Sequence, residues 1–288
     1  MADYSFAALT TAIVGFGTTV ALTYVNQIVG SSIVNENLIF HLDSSLVNSY
    51  SGTGSSWRDL TSNQNNATLT GSYSYSDYSL TFGNSGYATI PDSNSFDISG
   101  DFAFESFVYM TGTPNATFPS AIISSWATTG SPNCKFILFV NSSGALVFQI
   151  NGNTNTWTHP GTINLNQWHH VAVSRINGII NMYIDGISGG NISYSSSITP
   201  TLDIMIGSYS AAFGYSFQGK IPLVRFYNGR GLTASEVYNN SRTITIETSN
   251  GTVSVGNLSS GIGTAVPGFL TGRRPVSGQV FPRGVYNK

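Results

Sequence analysis

The sequence predicts an all-β fold, a two-sheet antiparallel jelly-roll sandwich, on three observations. Short apolar or alternating runs recur through the middle of the chain, with no helical stretch between most of them. Clusters of Gly, Asn, Ser and Pro separate the runs and supply turns. Asn177-Gly178 stands between two such runs, and a type I′ hairpin needs positive φ at both central residues. Many short strands without intervening helices bury their apolar faces by packing sheet on sheet.

The runs, in order, are NLIFHL (37–42), SLTF (79–82), YATI (87–90), DFAFESFVYM (101–110), SAIISSWA (120–127), KFILFV (135–140) and ALVFQI (145–150), followed by DIMIGS (203–208) and IPLVRFY (221–227). Between the last two groups, WHHVAVSRI and IINMYID flank Asn177-Gly178 as a hairpin, with Trp168 expected in the core. TASEVYNN predicts one short helix, because Thr233 and Glu236 have the spacing of a capping box. ITIETSNGTVSV predicts a further hairpin around Asn250-Gly251. No repeat at a solenoid period is present. The expected organisation is an arm over 1–36, a jelly roll over 37–243, and a hairpin with a basic tail over 244–288.

Composition narrows the class. Of 288 residues, 41% are hydrophobic and only 8% charged, against about a quarter charged in a typical domain. Solubility then rests on neutral Ser, Thr, Asn and Gly, as in extracellular or particle-bound β proteins. The net charge of −2 argues against nucleic acid as a partner. Cys134 is the only cysteine, which excludes an intrachain disulfide.

The charge is segregated along the chain. Seven cations and thirteen acids precede Arg273 and leave the body at −6, while Arg273, Arg274, Arg283 and Lys288 give the tail +4. At the other end, no residue from Tyr4 to Asn35 is charged, and the first cation is Arg58. A signal peptide wants early cations and a membrane span wants flanking ones. Thr10, Thr11, Thr18, Thr19, Thr23, Asn26 and Gln27 interrupt the apolar run. An arm that packs on protein is expected, with no membrane span.

His169 and His170 invite a metal reading, but neighbours on a strand point to opposite faces. They cannot clasp one ion together, and no Cys or carboxylate set stands near them at ligand spacing. The stretch is expected to be structural.

This hairpin also carries a resemblance. NQWHHVAVSRINGIINMYIDG looks like the central signature of laminin-G-like domains of the concanavalin A-like superfamily. NLIFHLDSS, WRDLTSNQNNATL, SFDISGDFAFESFVYM and MIGSYSAAFGYSFQGKIPLVRFYNGRGLTASEV resemble other family segments in the same order, over roughly 37–243. Phe107 replaces the usual tryptophan, and Ser62 the usual loop glycine. The resemblance implies the jelly roll; it does not imply an activity, because the fold serves lectins, hydrolases, adhesins and structural modules alike.

The glucanase branch uses E-x-D-x-x-E on one strand, and that run is absent. Asp101 and Glu105 share a strand face but stand about 13 Å apart, beyond the ~5–9.5 Å of paired glycosidase carboxylates. Glu105 is expected in a hydrogen-bond network near the rim. No G-x-S-x-G elbow, P-loop or H-E-x-x-H run occurs. No enzyme is expected.

Two binding regions compete with bland alternatives. Asp59, Asn63, Asn65 and Asn66 offer oxygens to calcium, or else simply form a hydrogen-bonded turn. No cofactor is required otherwise. Tyr209, Phe213, Tyr215 and Phe217 can stack on a surface glycan or a partner, or else pack in the core. Seven N-x-S/T sequons are what an Asn-, Ser- and Thr-rich chain produces by composition.

The C-terminal stretch mixes nine Gly or Pro in 28 residues with apolar anchors including Phe281 and Tyr286. Arg273, Arg274, Phe281, Arg283 and Tyr286 read as a subunit-docking arm, since a plain flexible linker lacks such anchors. The ending is similar to tails of tailed-bacteriophage structural proteins. The resulting expectation is a virion protein on the outer particle surface, decorating the head. Its partners are other virion proteins of capsid or tail, with self-association. A tail adhesin or fibre component binding host glycan, or a cell-surface lectin, is the alternative.

Overall fold

Period-two alternation resolves into two stacked antiparallel sheets. The computed structural model describes residues 33–114, 120–126, 135–152, 155–209 and 216–241, and the backbone of strands at 10–15, 18–23, 243–248 and 251–256. The first sheet runs β13 (Asn155–Thr162), β12 (Ala145–Ile150), β11 (Phe136–Val140), β10 (Ser120–Ser125), β17 (Ile204–Ile206), β8 (Tyr87–Ile90), β5 (Ala67–Thr70) and β4 (Ser56–Trp57). The second runs β16 (Ile187–Ser193), β15 (Ile179–Ile184), β14 (Trp168–Ile176), β9 (Phe102–Met110), β18 (Gly219–Asn228), β7 (Ser79–Phe82) and β6 (Tyr73–Ser76). β3 (Leu38–Asp43) pairs with the later part of β18, whose first two residues pair with β7. Strands distant in sequence therefore lie side by side, as a jelly roll requires. Two separate hairpins join β1 (Thr10–Gly15) to β2 (Thr18–Thr23) and β19 (Thr243–Thr248) to β20 (Gly251–Gly256).

Between the sheets lies one large apolar core. Phe104 of the second sheet stacks on Phe136 of the first at 4.7 Å and on Phe226 beside it at 4.6 Å. All three rings are buried, and each contributes about 1.5–3 kcal/mol through loss of water contact. The outer face of the second sheet is covered as well. There α1 (Ala234–Asn240) packs Val237 against Ala103, Ala172, Tyr183 and Tyr227. Its N-terminus is closed by the expected capping box: the Thr233 hydroxyl accepts from Glu236 N–H, and the Glu236 carboxylate accepts from Thr233 N–H.

Asn177 and Gly178 have φ of 52° and 77°, as the hairpin demands. Two expectations need correcting, and four strands come where none was expected. Trp168 is half-buried at the outward end of β14, not in the core, because its face of the sheet is the outer one. The C-terminal hairpin pairs Thr248 with Gly251, so Gly251 belongs to a strand instead of the turn. β5, β6, β13 and β16 form from segments too polar to stand out as strands.

Candidate functional site

His169 and His170 sit on opposite faces. The His169 Nε2 accepts from Asn164 N–H (3.1 Å), so Nδ1 carries the proton and donates to Asp185 Oδ2 (2.8 Å). Asp185 Oδ1 accepts from His170 N–H (2.8 Å). Burial pushes the Asp185 carboxyl up, but the bonds from His169 and the His170 backbone hold it below its ordinary value. Here the imidazole is a brace for the turn after β15.

His170 faces outward and reaches Glu105, with Nε2 3.3 Å from Oε2. Glu105 is wholly buried at the centre of β9 under α1, not at the rim as expected. The helix lays Asn240 over it, and the Asn240 amide donates to both oxygens (3.1 and 3.0 Å). Arg225 donates at 2.8 Å and the Tyr227 hydroxyl at 3.3 Å, both to Oε1. Burial alone raises this carboxyl; the Arg225 guanidinium, with His170, overrules it and holds the group well below the usual carboxylate range. Glu105 thus stays ionised, paired and out of reach of solvent. A glycosidase acid needs a raised pKa and access to the substrate. Asp101, the carboxylate just before β9, instead accepts Asn177 N–H at 2.8 Å.

The structure brings Asp59, Asn63 and Asn65 together as a turn against β3. Asp59 Oδ1 accepts from the backbones of His41 and Thr61, and Oδ2 from the Thr61 hydroxyl and Asn65 N–H, all within 2.9 Å. The Asn63 and Asn65 amides both donate to Ile39 O at 2.9 Å. Asn66 Oδ1 accepts Asp59 N–H at 2.9 Å. Calcium asks for six to eight oxygens, whereas this single carboxylate already holds four donors. The donor set does not fit the ion. Among the described residues, no group of three or more His, Cys, Asp or Glu is placed to hold a metal.

The aromatic loop is corrected in part. Phe217 is fully buried in the inter-sheet core. Tyr209 packs with Ala121, Trp126, Ile137, Phe139 and Val147 on the outer face of the first sheet. Neither ring is presented to solvent, because the inter-sheet core encloses Phe217 and that outer cluster encloses Tyr209. Phe213 and Tyr215 lie outside the described residues, as do Arg273, Arg274, Phe281, Arg283 and Tyr286 of the tail.

The sequence reading missed Tyr109. It stands opposite Trp168 in the register of β9 and β14, both half-buried on the outer face, with ring centroids 5.1 Å apart at 48°. The only sequence signal was its position one residue out of phase with Val108 and Met110, whose side chains enter the core.

A family model described as the concanavalin A-like lectin/glucanases superfamily matches residues 82–238. Comparison with curated proteins finds no match. Among solved structures, the chain is similar to domain 4 of an extracellular arabinanase from Geobacillus stearothermophilus, in complex with arabinotriose. That likeness has TM-score 0.53 at 18% identity and covers 70% of this chain and 97% of the other. It is also similar to Trypanosoma rangeli sialidase (TM-score 0.56, 18% identity), covering 73% of this chain but only 33% of the sialidase. A third likeness, at 13% identity and TM-score 0.54, is to botulinum neurotoxin type C, described as depending on two ganglioside molecules for cell entry; it covers 71% of this chain and 50% of the toxin chain. At such identities these likenesses establish the fold.

Proposed function

We propose that this chain, which belongs to the concanavalin A-like lectin/glucanase superfamily, is a non-enzymatic structural protein of a tailed-bacteriophage virion, displayed on the particle surface as a head decoration. The observation that carries the proposal is the segregation of charge: a body of formal charge −6 followed by an acid-free tail of +4 with apolar anchors. Such a tail suits docking across an acidic, partly apolar subunit surface. Arginine makes bidentate contacts with carboxylates, so Arg273 and Arg274 carry more of the docking than Lys288.

Deleting residues 261–288 should leave the sandwich folded, since both sheets and α1 precede the cut, but abolish incorporation into particles. Raised salt should weaken docking only in part, because the apolar anchors remain. Full occupancy of the truncated protein on particles would defeat the proposal. The non-catalytic part is supported by the buried, charge-paired Glu105. Purified protein should not hydrolyse β-glucan, agar or alginate, and a turnover abolished by Glu105→Gln would refute that part.

A second reading is a tail adhesin, or a cell-surface lectin, that binds glycan. It is favoured by the likeness to an arabinanase domain solved with arabinotriose. Neither reading requires a cofactor.

A further inference from the structure

A sheet edge presents unpaired N–H and C=O groups, and most edges of this sandwich are protected against a further strand. β4 has two residues and β6 four. β13 contains Pro160, which has no N–H to donate. β3 is covered by the turn at 59–65, where Asp59, Asn63 and Asn65 bond to its backbone. β16 has none of these devices. Its sequence, ISGGNIS, is seven residues long without proline or charge, and among the described residues it pairs only with β15. His159 of β13 lies 3.3 Å from Ile187 O and ties one end of β16 to the first sheet, but supplies no paired strand.

A bulge sets the pattern of this edge. Ile187 pairs with Ile184 and Ile192 with Ile180, and the register shifts between the two pairs. Directly opposed residues share a sheet face, and Ile180 and Ile184 both belong to the inter-sheet core. Ile187 and Ile192 therefore lie on the same, core-facing side of β16, although an odd spacing separates them. They are nevertheless 68% and 37% exposed, since β16 is the last strand of its sheet. Ser188 opposes Tyr183 and Asn191 opposes Asn181, on the outer face. Between them stand Gly189 and Gly190, and a Cβ on Gly190 would meet nothing within 4 Å.

We infer that β16 pairs antiparallel with β16 of a second copy, about a two-fold axis between Gly189 and Gly190. In that register Ile187 opposes Ile192 of the second copy, Ser188 opposes Asn191, and Gly189 opposes Gly190, each in both directions. A two-fold axis normal to the sheet keeps every residue on its own face, so residues that oppose each other must already share one. Ile187 and Ile192 do so, as do Ser188 and Asn191, only because of the bulge. The contact continues the inter-sheet core across the axis with four isoleucines. On the outer face it sets hydroxyl against amide, and the backbones come closest where glycines carry no side chain. A one-residue slip would oppose isoleucine to a residue of the other face. Because β16 is neutral, no like charges meet. One strand per copy is a small contact beside the ~1,600 Å² of a standard interface. The dimer is therefore weak in free solution and favoured where copies are already held side by side. It depends neither on the tail nor on the display role.

Sedimentation equilibrium of the full chain should show a concentration-dependent monomer–dimer equilibrium. Ile187→Lys and Ile192→Lys, at exposed positions, should each weaken it by about tenfold or more, with unchanged circular dichroism. The register is read by disulfide trapping in a Cys134→Ser background. The double variant Ile187→Cys with Ile192→Cys should link into covalent dimers under mild oxidation, because each thiol faces the other position across the axis. Either single variant should stay unlinked, since a residue and its own counterpart then stand about 13 Å or more apart along the strands, beyond the reach of a disulfide. A full chain that stays monomeric into the millimolar range overturns the inference. So do lysine variants that dimerise like the parent, or single cysteine variants that link as readily as the double. Deleting residues 261–288 should leave the dimer intact; a dimer abolished by that deletion would place the contact in the tail and overturn the β16 pairing. Particle incorporation, followed in parallel, keeps failure of the display role separately visible.

Discussion

At the scale of single residues, the buried charges among the described residues hold the fold together. Arg175 donates to Gly100 O and Ser196 O and lies over the Phe102 ring at 5.0 Å, tying two loops to the end of β14. Glu105 holds β9, β18 and α1 together through Arg225, Tyr227 and Asn240. Glu105→Gln leaves the Arg225 guanidinium buried without its counter-charge, which costs about 3–5 kcal/mol; denaturant unfolding should show that loss. The double variant Glu105→Leu with Arg225→Met should recover part of it, since neither member of the buried pair is then left without its partner. Acid should act through the same cluster in two stages. His41, buried next to Arg225, has its pKa well below 6.5, by burial first and by the guanidinium second, with Glu105 offsetting part. Its contribution is present above pH 6.5, where folded and unfolded chains are both neutral, and is lost as pH falls toward the folded value. Glu105, also depressed, contributes fully above its ordinary 4.5 and loses that as pH falls toward its folded value. The thermal unfolding midpoint should therefore begin to fall below about pH 6.5, and His41→Gln should flatten that first decline while leaving the more acidic one.

At the scale of elements, turns and caps set register while the edges are closed by specific contacts. Gly178 has φ 77°, and a Cβ there would stand 3.2 Å from Ser195 Cβ. Gly178→Ala should destabilise by about 1 kcal/mol or more. Thr233→Ala, removing the cap that seats α1, should cost a similar ~1 kcal/mol. Both are read by equilibrium denaturation. The open side of the sandwich is bridged by His159 of β13: Nδ1 accepts Gly161 N–H at 2.9 Å, which leaves the proton on Nε2, 3.3 Å from Ile187 O of β16. Gly189 makes room for that ring, since a Cβ there would come within 2.1 Å of it.

At the scale of the molecule, the sandwich carries its own core. Residues 33–241 hold both sheets and α1, and among the described residues the large inter-sheet core is built from them. Expressed alone, this segment should unfold cooperatively with a β-type circular dichroism spectrum; a non-cooperative transition would show that the terminal segments complete the core.

What the sequence determined by itself was local or periodic. SLTF, YATI and ALVFQI match strand bounds residue for residue, since alternation and flanking turns are written in consecutive positions. The Thr233–Glu236 box and the Asn177-Gly178 turn are short-range motifs, and the ordered family segments fixed the superfamily. Polar edge strands such as ISGGNIS escaped because little of their side-chain surface is buried and no pattern marks them. The sites depended on pairing between distant strands. Glu105 became a buried counter-ion only because Arg225 and Asn240, 120 and 135 residues away, fold onto it. Tyr209 and Phe217 read equally as rim aromatics or as core until packing placed both on the enclosed side. Trp168 read as core until the register of β14 against β9 set it on the outer face beside Tyr109. Which face a side chain occupies is shared along a strand, but which face is covered is decided by what the rest of the chain lays upon it.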